Sequence, residues 1–330
     1  MEREIPLDRH GQGRGPAEGQ VTRGVFYLRD RIVNLYLLGD AAADSGSSGR
    51  WVLVDTGLPG AADRIVKAAE SRFGAGTRPE AIVMTHGHFD HTGALKTLAE
   101  RWDVPVYAHP LELPYLTGRS KYPPPDPTVG GGAMPFFART FPRGPVDLGE
   151  RVHALPADGS VPGLPGWRWI HTPGHTAGHV SLFRDDDRTL IAGDAFVTTK
   201  QESATSVLTQ KREVHGPPSY FTQDWDQARD SVARLAELRP NIAATGHGPP
   251  MSDPGLQREL DRLARDFDTL ARPTHGRYVR QPAVADESGT VSVPPPVADR
   301  VGRIVAGVAL VAVAAGAAAI LRNRGGESQS

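Results

Sequence analysis

Short apolar runs alternate with longer amphipathic stretches along most of the chain. The short runs predict buried strands: RIVNLYLLG, WVLVDTG, EAIVMTH and VPVYAH in the first half, then WRWIHT, HVSLFRD, TLIAGD and IAATGH in the second. Apolar residues at helical spacing predict helices over 61–72, 91–102 and 222–238, and a last helix from 253 onward. This alternation indicates an α/β domain with two comparable halves, which we place at residues 21–272.

Two stretches interrupt the alternation inside this domain. Residues 110–145 are rich in proline, glycine and aromatic residues, and residues 197–221 are polar and end in GPPSYF. Loops of this length are uncommon in compact domains and are often functional. We therefore expect residues 110–145 and 197–221 to form walls over a site.

The two ends of the chain have a different composition from the domain. Residues 1–20 are polar and glycine-rich, which predicts a flexible N-terminal arm. Residues 273–300 are rich in proline, serine and valine and have no helical period, which is typical of an extended linker. The domain is therefore expected to end at 272 and to continue into a tether.

An uninterrupted apolar run follows the expected linker. Residues 304–321 are eighteen consecutive apolar residues with arginines on both sides. A helix of that length spans roughly 27 Å, close to the thickness of a membrane core. We expect a transmembrane helix over 301–322 with a short polar tail over 323–330; a buried helix that packs on a partner is the alternative.

Membrane attachment by the C-terminus would place the catalytic domain in the cytoplasm, because residues 1–20 contain no apolar stretch that could act as a signal peptide. Without the anchor the expected location is also cytoplasmic. The formal net charge is −1 and no basic cluster is present, so no nucleic-acid partner is expected. The absence of cysteine excludes disulfides, thiolate metal ligands and cysteine nucleophiles.

Histidine is concentrated at the ends of the predicted strands. Residues 85–91 read THGHFDH, directly after the apolar run AIVM, although the whole chain has only 12 histidines. Further polar motifs follow later strands: HTPGHTAGH at 171–179, Gly193-Asp194, and Gly246-His247-Gly248. The carboxyl ends of strands meet at one edge of an α/β sheet, and histidine and carboxylate are the usual zinc ligands when thiolates are absent. The pattern predicts a metal site.

These motifs, in this order and with the earlier VDTG that contains Asp55, resemble those of the metallo-β-lactamase-fold metallo-hydrolase superfamily. The resemblance runs from about residue 24 to about residue 250 and implies a four-layer αβ/βα sandwich with a dinuclear site between two sheets. The ligand set that it implies for this chain has two parts and a shared carboxylate: His86, His88 and His175 for one metal, Asp90, His91 and His247 for the other, and Asp194 as the bridge.

The resemblance also implies a reaction. Two divalent ions, zinc first with iron or manganese as alternatives, would share Asp194 and a hydroxide that attacks a carbonyl. Asp194 and Asp90 would be the catalytic residues, with Asp90 carrying a proton to the leaving group, and Asp55 would orient a ligand histidine or its loop. The expected function is hydrolysis of an ester, lactone or thioester, with a small-molecule acyl substrate.

Comparison with the ligand patterns of related families limits the branches of the superfamily to which the chain could belong. The commonest zinc β-lactamases place a cysteine at the second metal, and this chain has none. Flavin-linked di-iron oxygen reductases have a glutamate where this chain has His88. Glyoxalase II and the lactonases that open acyl-homoserine lactones share the ligand pattern, but glyoxalase II also has a larger helical thioester-binding region, whereas one predicted helix follows Gly248 here. Within this glyoxalase II- and lactonase-like branch, the chain looks most like the broad group of bacterial metallo-hydrolases of uncertain substrate. A mononuclear iron persulfide dioxygenase on the same fold is the alternative activity, and a binding protein without turnover is a third possibility.

Some polar residues near these motifs are left without an assigned role. His171 and His179 flank His175, and we expect them to pack or to support the ligands. Lys200 and Tyr220 lie in the second wall and could equally contact substrate or be ordinary loop residues. The identity of the acyl group and the oligomeric state stay open.

Overall fold

The structure is a computed structural model, and it describes residues 17–39, 50–252 and 254–298. The larger sheet has its strands side by side in chain order. They are β1 (Glu18–Thr22), β2 (Val25–Asp30), β3 (Val33–Gly39), β4 (Trp51–Val54), β5 (Ala81–Val83), β6 (Val106–Ala108) and β7 (Val152–Ala154). Strands β1 to β4 pair antiparallel, and β4 to β7 pair parallel.

The second sheet has the spatial order β11-β10-β9-β8. Its strands are β8 (Trp167–His171), β9 (Val180–Arg184), β10 (Thr189–Gly193) and β11 (Ile242–Thr245). Strand β10 runs parallel to β11 and antiparallel to β9. A separate hairpin pairs β12 (Val284–Asp286) with β13 (Gly289–Ser292).

The helices of the described residues vary from one turn to more than three. They are α1 (Ala62–Phe73), α2 (Phe89–Thr92), α3 (Leu95–Trp102), α4 (Leu113–Leu116), α5 (Met134–Ala138), α6 (Ala204–Thr209), α7 (Trp225–Glu237), α8 (Pro254–Arg265) and α9 (Phe267–Leu270). The helix expected over 91–102 is two helices, α2 and α3, which are separated at Ala94, where φ is −103° and ψ is 4°. Gly93 packs closely on the Leu58–Pro59 backbone, and a Cβ there would lie 2.2 Å from it. The helix expected over 222–238 begins at Trp225, and Asp224 caps it by accepting hydrogen bonds from the Asp226 and Gln227 amides.

Alternation along the strands produces three apolar layers. Leu53 and Ile82 of the larger sheet pack with Ile65 and Leu98 of α1 and α3, whereas the neighbouring Val54 faces the second sheet. The layer between the sheets includes Val54, Val83, Leu182, Ile191 and Ala244. On its other face the second sheet packs on α7 and α8 through Leu190, Ala243, Val232 and Leu260. The layer order is helix, sheet, sheet, helix, as the resemblance implied.

The pattern of apolar runs located the centres of both sheets but not their margins. Each of the eight predicted runs contains a strand, whereas β1, β2, β7 and the hairpin were not predicted. Strand β1 begins at Glu18, so the last residues of the expected arm are part of the larger sheet. Residues 1–16 of that arm lie outside the described residues.

The expected linker is wrong over most of its length. From residue 273 the chain returns to the domain, and the first compact unit ends at Pro294. The Tyr278 side chain is only 3% exposed and donates a hydrogen bond to the Pro124 carbonyl. In β13, the Thr290 amide donates to Ser120 Oγ at 3.0 Å and its hydroxyl donates to the Lys121 carbonyl. A buried aromatic side chain and these hydrogen bonds fix a segment whose composition alone indicated an extended tether.

The expected transmembrane helix over 301–322 and the polar tail over 323–330 lie outside the described residues. Among residues 17–39, 50–252 and 254–298, none of the helices combines the length and the apolar character that a membrane span needs.

Candidate metal centre

The predicted ligands approach one another because their strands end at the same edge of the two sheets. Strands β4 and β5 of the larger sheet are followed by Asp55 and by residues 86–91. In the second sheet, Asp194 follows β10 and His247 follows β11, while His175 lies between β8 and β9. The two sheets are joined here, since the Asn34 amide of β3 donates to the Gly246 carbonyl at 2.8 Å.

The structure brings all seven predicted ligands together in overlapping groups. Within each group the donor atoms lie within 4.8 Å of one another: His86, His88 and His175; His86, His91 and Asp194; and Asp90, His91 and His247. We call the first set the histidine group, and we call Asp90, His91, His247 and Asp194 the carboxylate group. All seven side chains are buried, and Asp90 is the most exposed at 7%.

The histidine group consists of neutral imidazoles. His88 Nδ1 lies 3.0 Å from His175 Nε2, and the ring of His86 stands almost perpendicular to that of His88. Burial, reinforced by the neighbouring histidines, holds the pKa of His86 and of His88 well below the usual value. Burial also lowers the pKa of His175 to about 4. At neutral pH these rings therefore offer lone pairs to a cation.

The carboxylate group is held by opposite charges. His247 Nε2 lies 3.2 Å from Asp194 Oδ2 and 3.5 Å from Asp90 Oδ2. Burial opposes the charged form of each histidine here, but the surrounding carboxylates outweigh it, so the pKa of His91 is raised well above its usual value and that of His247 is also raised. Burial likewise opposes ionisation of Asp194, yet His247 and His91 hold its pKa well below the usual range.

Several buried atoms of these side chains have no hydrogen-bond partner. They are the Nε2 atoms of His86, His88 and His91, and Oδ1 of Asp194. Buried polar atoms in folded proteins are nearly always paired, so unpaired atoms concentrated in one cluster call for an additional group. Histidine nitrogens with carboxylate oxygens are a donor set for divalent cations, so the residues fit bound metal ions.

Asp55 connects two of the site segments. It adopts a left-handed backbone with φ of 59°. Its Oδ1 accepts from the Thr85 amide at 2.8 Å, and its Oδ2 accepts from the Thr85 hydroxyl and lies 2.8 Å from His91 Nδ1. A carboxylate on the second nitrogen of a histidine fixes the ring and its tautomer. Asp55 thus lies against a predicted ligand, where the sequence placed it.

His179 and His171, which the sequence left without a role, lie in different surroundings. His179 Nε2 accepts a hydrogen bond from the Asp194 amide at 2.9 Å, and its Nδ1 lies 2.8 Å from the Thr172 hydroxyl. Burial lowers the pKa of His179 to about 3, which keeps the ring neutral for this contact. His171 instead stacks on His109 with ring centroids 4.1 Å apart. Only His179 touches the site.

Sequence reasoning did not single out three further groups at the site. Thr222 Oγ1 lies 3.3 Å from His175 Nδ1, and the Ile32 carbonyl lies 2.7 Å from His247 Nδ1. The fully buried Glu112 hydrogen-bonds to the segments on either side of the histidine group. The signal for Glu112 was a single acid in the otherwise apolar stretch HPLELPYL.

Both walls flank the histidine group. Tyr122 of the first wall and Phe221 of the second each place a ring centroid 4.6 Å from that of His88. The walls meet where the Met134 amide donates to the Glu202 carbonyl. Tyr220 is buried; burial raises its pKa well above 10, and the charges of Glu202, Asp90 and Asp194 add to the shift.

Lys200 does not join this arrangement. It lines a cavity of about 470 Å³ with Lys211, Arg212 and Arg262, and none of the seven predicted ligands lines that cavity. The structure therefore places Tyr220 beside the site and Lys200 away from it.

Comparisons with known proteins identify the family of the chain. The family model for the metallo-beta-lactamase superfamily matches residues 28–247. A protein of Bacillus subtilis (strain 168) named "Probable metallo-hydrolase YflN" is 46% identical over 257 residues, which are 78% of this chain and 96% of that protein. A hydroxyacylglutathione hydrolase of Erwinia tasmaniensis is 31% identical over 138 residues, which are 41% of this chain and 39% of that protein.

A solved structure agrees at the level of the fold. The metallo-beta-lactamase SMB-1, crystallised with 2-mercaptoethanesulfonate, superposes with a TM-score of 0.50 at 16% identity, over 78% of this chain and 96% of that one. The residues that the family model matches begin within β2 and end at His247, just after β11, so they include strands β3 to β11. The chain belongs to the metallo-beta-lactamase superfamily.

Proposed function

We propose that the protein is a metal-dependent hydrolase that cleaves an ester, lactone or thioester at a dinuclear centre, with zinc as the metal. The observation that carries the proposal is the cluster of buried candidate ligands, in which Nε2 of His86, Nε2 of His91 and Oδ1 of Asp194 have no hydrogen-bond partner. Asp194 is within reach of both ligand groups, since its Oδ2 lies 3.5 Å from His175 Nε2 and 3.2 Å from His247 Nε2.

The chemistry divides between the metals and the chain. Bound divalent ions supply Lewis acidity, which activates water and polarises a carbonyl. Asp90 is the most exposed of the seven predicted ligands, and its Oδ2 lies 3.5 Å from His247 Nε2. It is therefore placed to receive a proton and to pass it to a leaving group. Phe221 and Tyr122 cover His88 and exclude bulk water from that side.

The proposed class of substrate is based on the aromatic residues in and beside the two walls. Phe89, Phe141 and Phe221 form an aromatic cluster beside the histidine group, which suits the apolar part of an acyl substrate. The similarity to a hydroxyacylglutathione hydrolase, whose name denotes a thioester substrate, supports the inclusion of thioesters. The absence of cysteine argues against the metal site of the commonest zinc β-lactamases.

One observation favours a second candidate function. His86, His91 and Asp194 form a compact set of two histidines and one carboxylate, which is the ligand type of mononuclear iron oxygenases. A persulfide dioxygenase would use such a set with a single iron. Purified protein that contains iron and consumes oxygen with glutathione persulfide would favour this function, whereas a colourless zinc protein that hydrolyses esters would exclude it.

The proposed hydrolase is tested by metal analysis together with one substitution. We expect about two divalent ions per chain and hydrolysis of at least one member of a panel of lactones, esters and thioesters. Asp194→Ala should lower the rate at least about 100-fold, since both metals lose a shared ligand. The control is Asp158→Ala, an exposed acid whose side chain accepts hydrogen bonds from Ser160. Fewer than one bound metal per chain, or full hydrolysis by Asp194→Ala, would overturn the proposal.

A further inference from the structure

We propose that Glu112 is a positioning residue that sets the geometry of the histidine group by fastening its two loops to one carboxylate. This inference rests on the proposed function, since it assumes a metal centre at these residues. Glu112 follows β6 in a short helical turn, Pro110–Glu112, and its side chain is fully buried. It belongs to none of the candidate metal-binding groups found among the described residues.

Each oxygen of Glu112 serves one loop. Oε2 accepts a hydrogen bond from the Gly87 amide at 2.9 Å, and Gly87 lies between His86 and His88. Oε1 accepts from the Thr176 hydroxyl at 2.7 Å and from the Gly178 amide at 3.0 Å. Thr176 directly follows His175, so this single carboxylate joins the segments that carry all three members of the histidine group.

Both loops are shaped for this close approach. A Cβ at Gly178 would lie 2.8 Å from Glu112 Cγ, and a Cβ at Gly87 would lie 2.7 Å from the Tyr122 hydroxyl. Tyr122 also donates to Glu112 Oε2, and its hydroxyl accepts from the Gly87 amide. Real side chains do not reach such distances without displacing a neighbour, so glycine at these two positions permits the carboxylate to bind both loops.

Four hydrogen-bond donors surround the buried carboxylate of Glu112. They explain how the fold tolerates a buried acid, but they do not explain why the acid lies at this position. Burying an acid is costly unless hydrogen bonds compensate, and Glu112 has a full set. Stability alone would be served by donors from any nearby backbone. Here every donor is in a ligand loop or is the Tyr122 hydroxyl, which itself contacts the loop at Gly87. The network therefore controls the distance between His88 and His175, whose ring nitrogens lie 3.0 Å apart.

Glu112→Gln is a sharp test because an amide has one accepting oxygen and one donating nitrogen. In either orientation the NH₂ group faces the donors of one loop, so that loop loses its fastening while side-chain size is kept. The carboxylate group has separate supports, Asp55 for His91 and the Ile32 carbonyl for His247, and should be spared.

The experiment is a Co²⁺ titration of the metal-free full-length protein, followed by absorbance, with thermal unfolding measured in parallel. His88→Ala identifies the signal of the histidine group. We expect Glu112→Gln to lower the Co²⁺ affinity of the histidine group about 10- to 100-fold, which is the usual effect of removing a partner that orients ligands. The Co²⁺ affinity of the carboxylate group should change by no more than about threefold. The matched control is Asp126→Asn, another buried acid of the same wall, which accepts from Thr128 and Arg277 and contacts neither ligand loop.

Three results would overturn the proposal. They are unchanged Co²⁺ affinities in Glu112→Gln, an equal loss of Co²⁺ affinity in the histidine group and the carboxylate group, or a selective loss at the histidine group in Asp126→Asn. If Glu112→Gln does not fold, Thr176→Val decides, since it removes one donor to Oε1 and should weaken only the histidine group. Failure of the proposed function is distinguishable, because wild-type protein that binds fewer than one metal contradicts the metal centre itself.

Discussion

The two ligand groups of the site are organised by different means. In the carboxylate group the side chains attract one another directly, with His247 against Asp194 at 3.2 Å and against Asp90 at 3.5 Å. The histidine group contains no carboxylate; its rings have lowered pKa values and two of them have an unpaired Nε2. Its positions are therefore set from outside, by Thr222 on His175 and by Glu112 on both loops.

This difference indicates how each group responds to change. A group held by internal charge pairs is sensitive to anything that separates the charges or enters the space between them. A group of neutral ligands has no charge pair to hold it together, so it is sensitive to the alignment of the loops that carry it. Substitutions can therefore weaken one group and spare the other, which makes the comparison testable.

The largest selective effect is expected from Gly246→Ala. A Cβ at this position would lie 2.0 Å from Asp194 Oδ1 and 2.9 Å from His91 Cε1, so a methyl group would enter the carboxylate group. We expect one metal per chain in place of two and a fall in hydrolysis of at least about 100-fold. Overpacking should also cost about 1–3 kcal/mol of stability. Metal analysis and thermal unfolding measure the two effects.

Gly76→Ala is the control for Gly246→Ala, because Gly76 is exposed and, apart from its chain neighbours, no atom of the described residues lies within 4 Å of a Cβ there. That substitution is strained by its φ of 71° but is remote from the ligands, so both metals should stay bound. Retention of two metals and normal hydrolysis in Gly246→Ala would show that the carboxylate group does not need its present spacing.

An intermediate effect is expected from Asp55→Asn. The amide cannot serve the Thr85 amide and His91 Nδ1 together, since one of its two ends donates where Asp55 accepts. His91 then loses its tautomer control, and we expect metal affinity of the carboxylate group to fall about 10- to 100-fold while the histidine group changes little. Two-site Co²⁺ titration measures both affinities.

Asp30→Asn provides the comparison for Asp55→Asn. Asp30 is also buried at the end of a strand, and its Oδ2 accepts a backbone hydrogen bond, from Leu58 at 2.9 Å, yet it contacts no ligand. Equal losses of metal affinity in the two variants would mean that Asp55 supports the fold and not the tautomer of His91.

The sequence was sufficient for the centre of the fold and for the candidate ligands that the structure brings together. Apolar runs such as WVLV and TLIAG are buried on both faces and were recognised without tertiary information. Most of the predicted ligands follow strands of the two sheets, so strand prediction also indicated where these residues would meet. The hairpin β12–β13 was missed because its stability comes from contacts with the first wall, such as Thr290 with Ser120, and not from its own composition.

The supporting residues could not be predicted for the same reason. Glu112 and Gly178 are 66 positions apart, and Thr222 and His175 are 47 apart. Both Glu112 and Thr222 lie in or beside walls without helical or strand periodicity, so no pattern indicates which residue faces which loop. Asp55 was predicted because it belongs to a recognisable motif directly after a strand.

The smallest effect is expected from Thr222→Val, which removes a hydrogen-bond partner of His175 that is not itself a member of the histidine group. The Thr222 hydroxyl donates to the Pro218 carbonyl and so accepts from His175 Nδ1–H at 3.3 Å, which leaves Nε2 free for a metal. Valine keeps the shape and removes the acceptor. A hydrogen bond of this length contributes about 1 kcal/mol, so metal affinity of the histidine group should fall about fivefold. Thr117→Val, whose hydroxyl donates to the Leu113 carbonyl, is the control, and an equal loss in both classes of site would contradict the comparison.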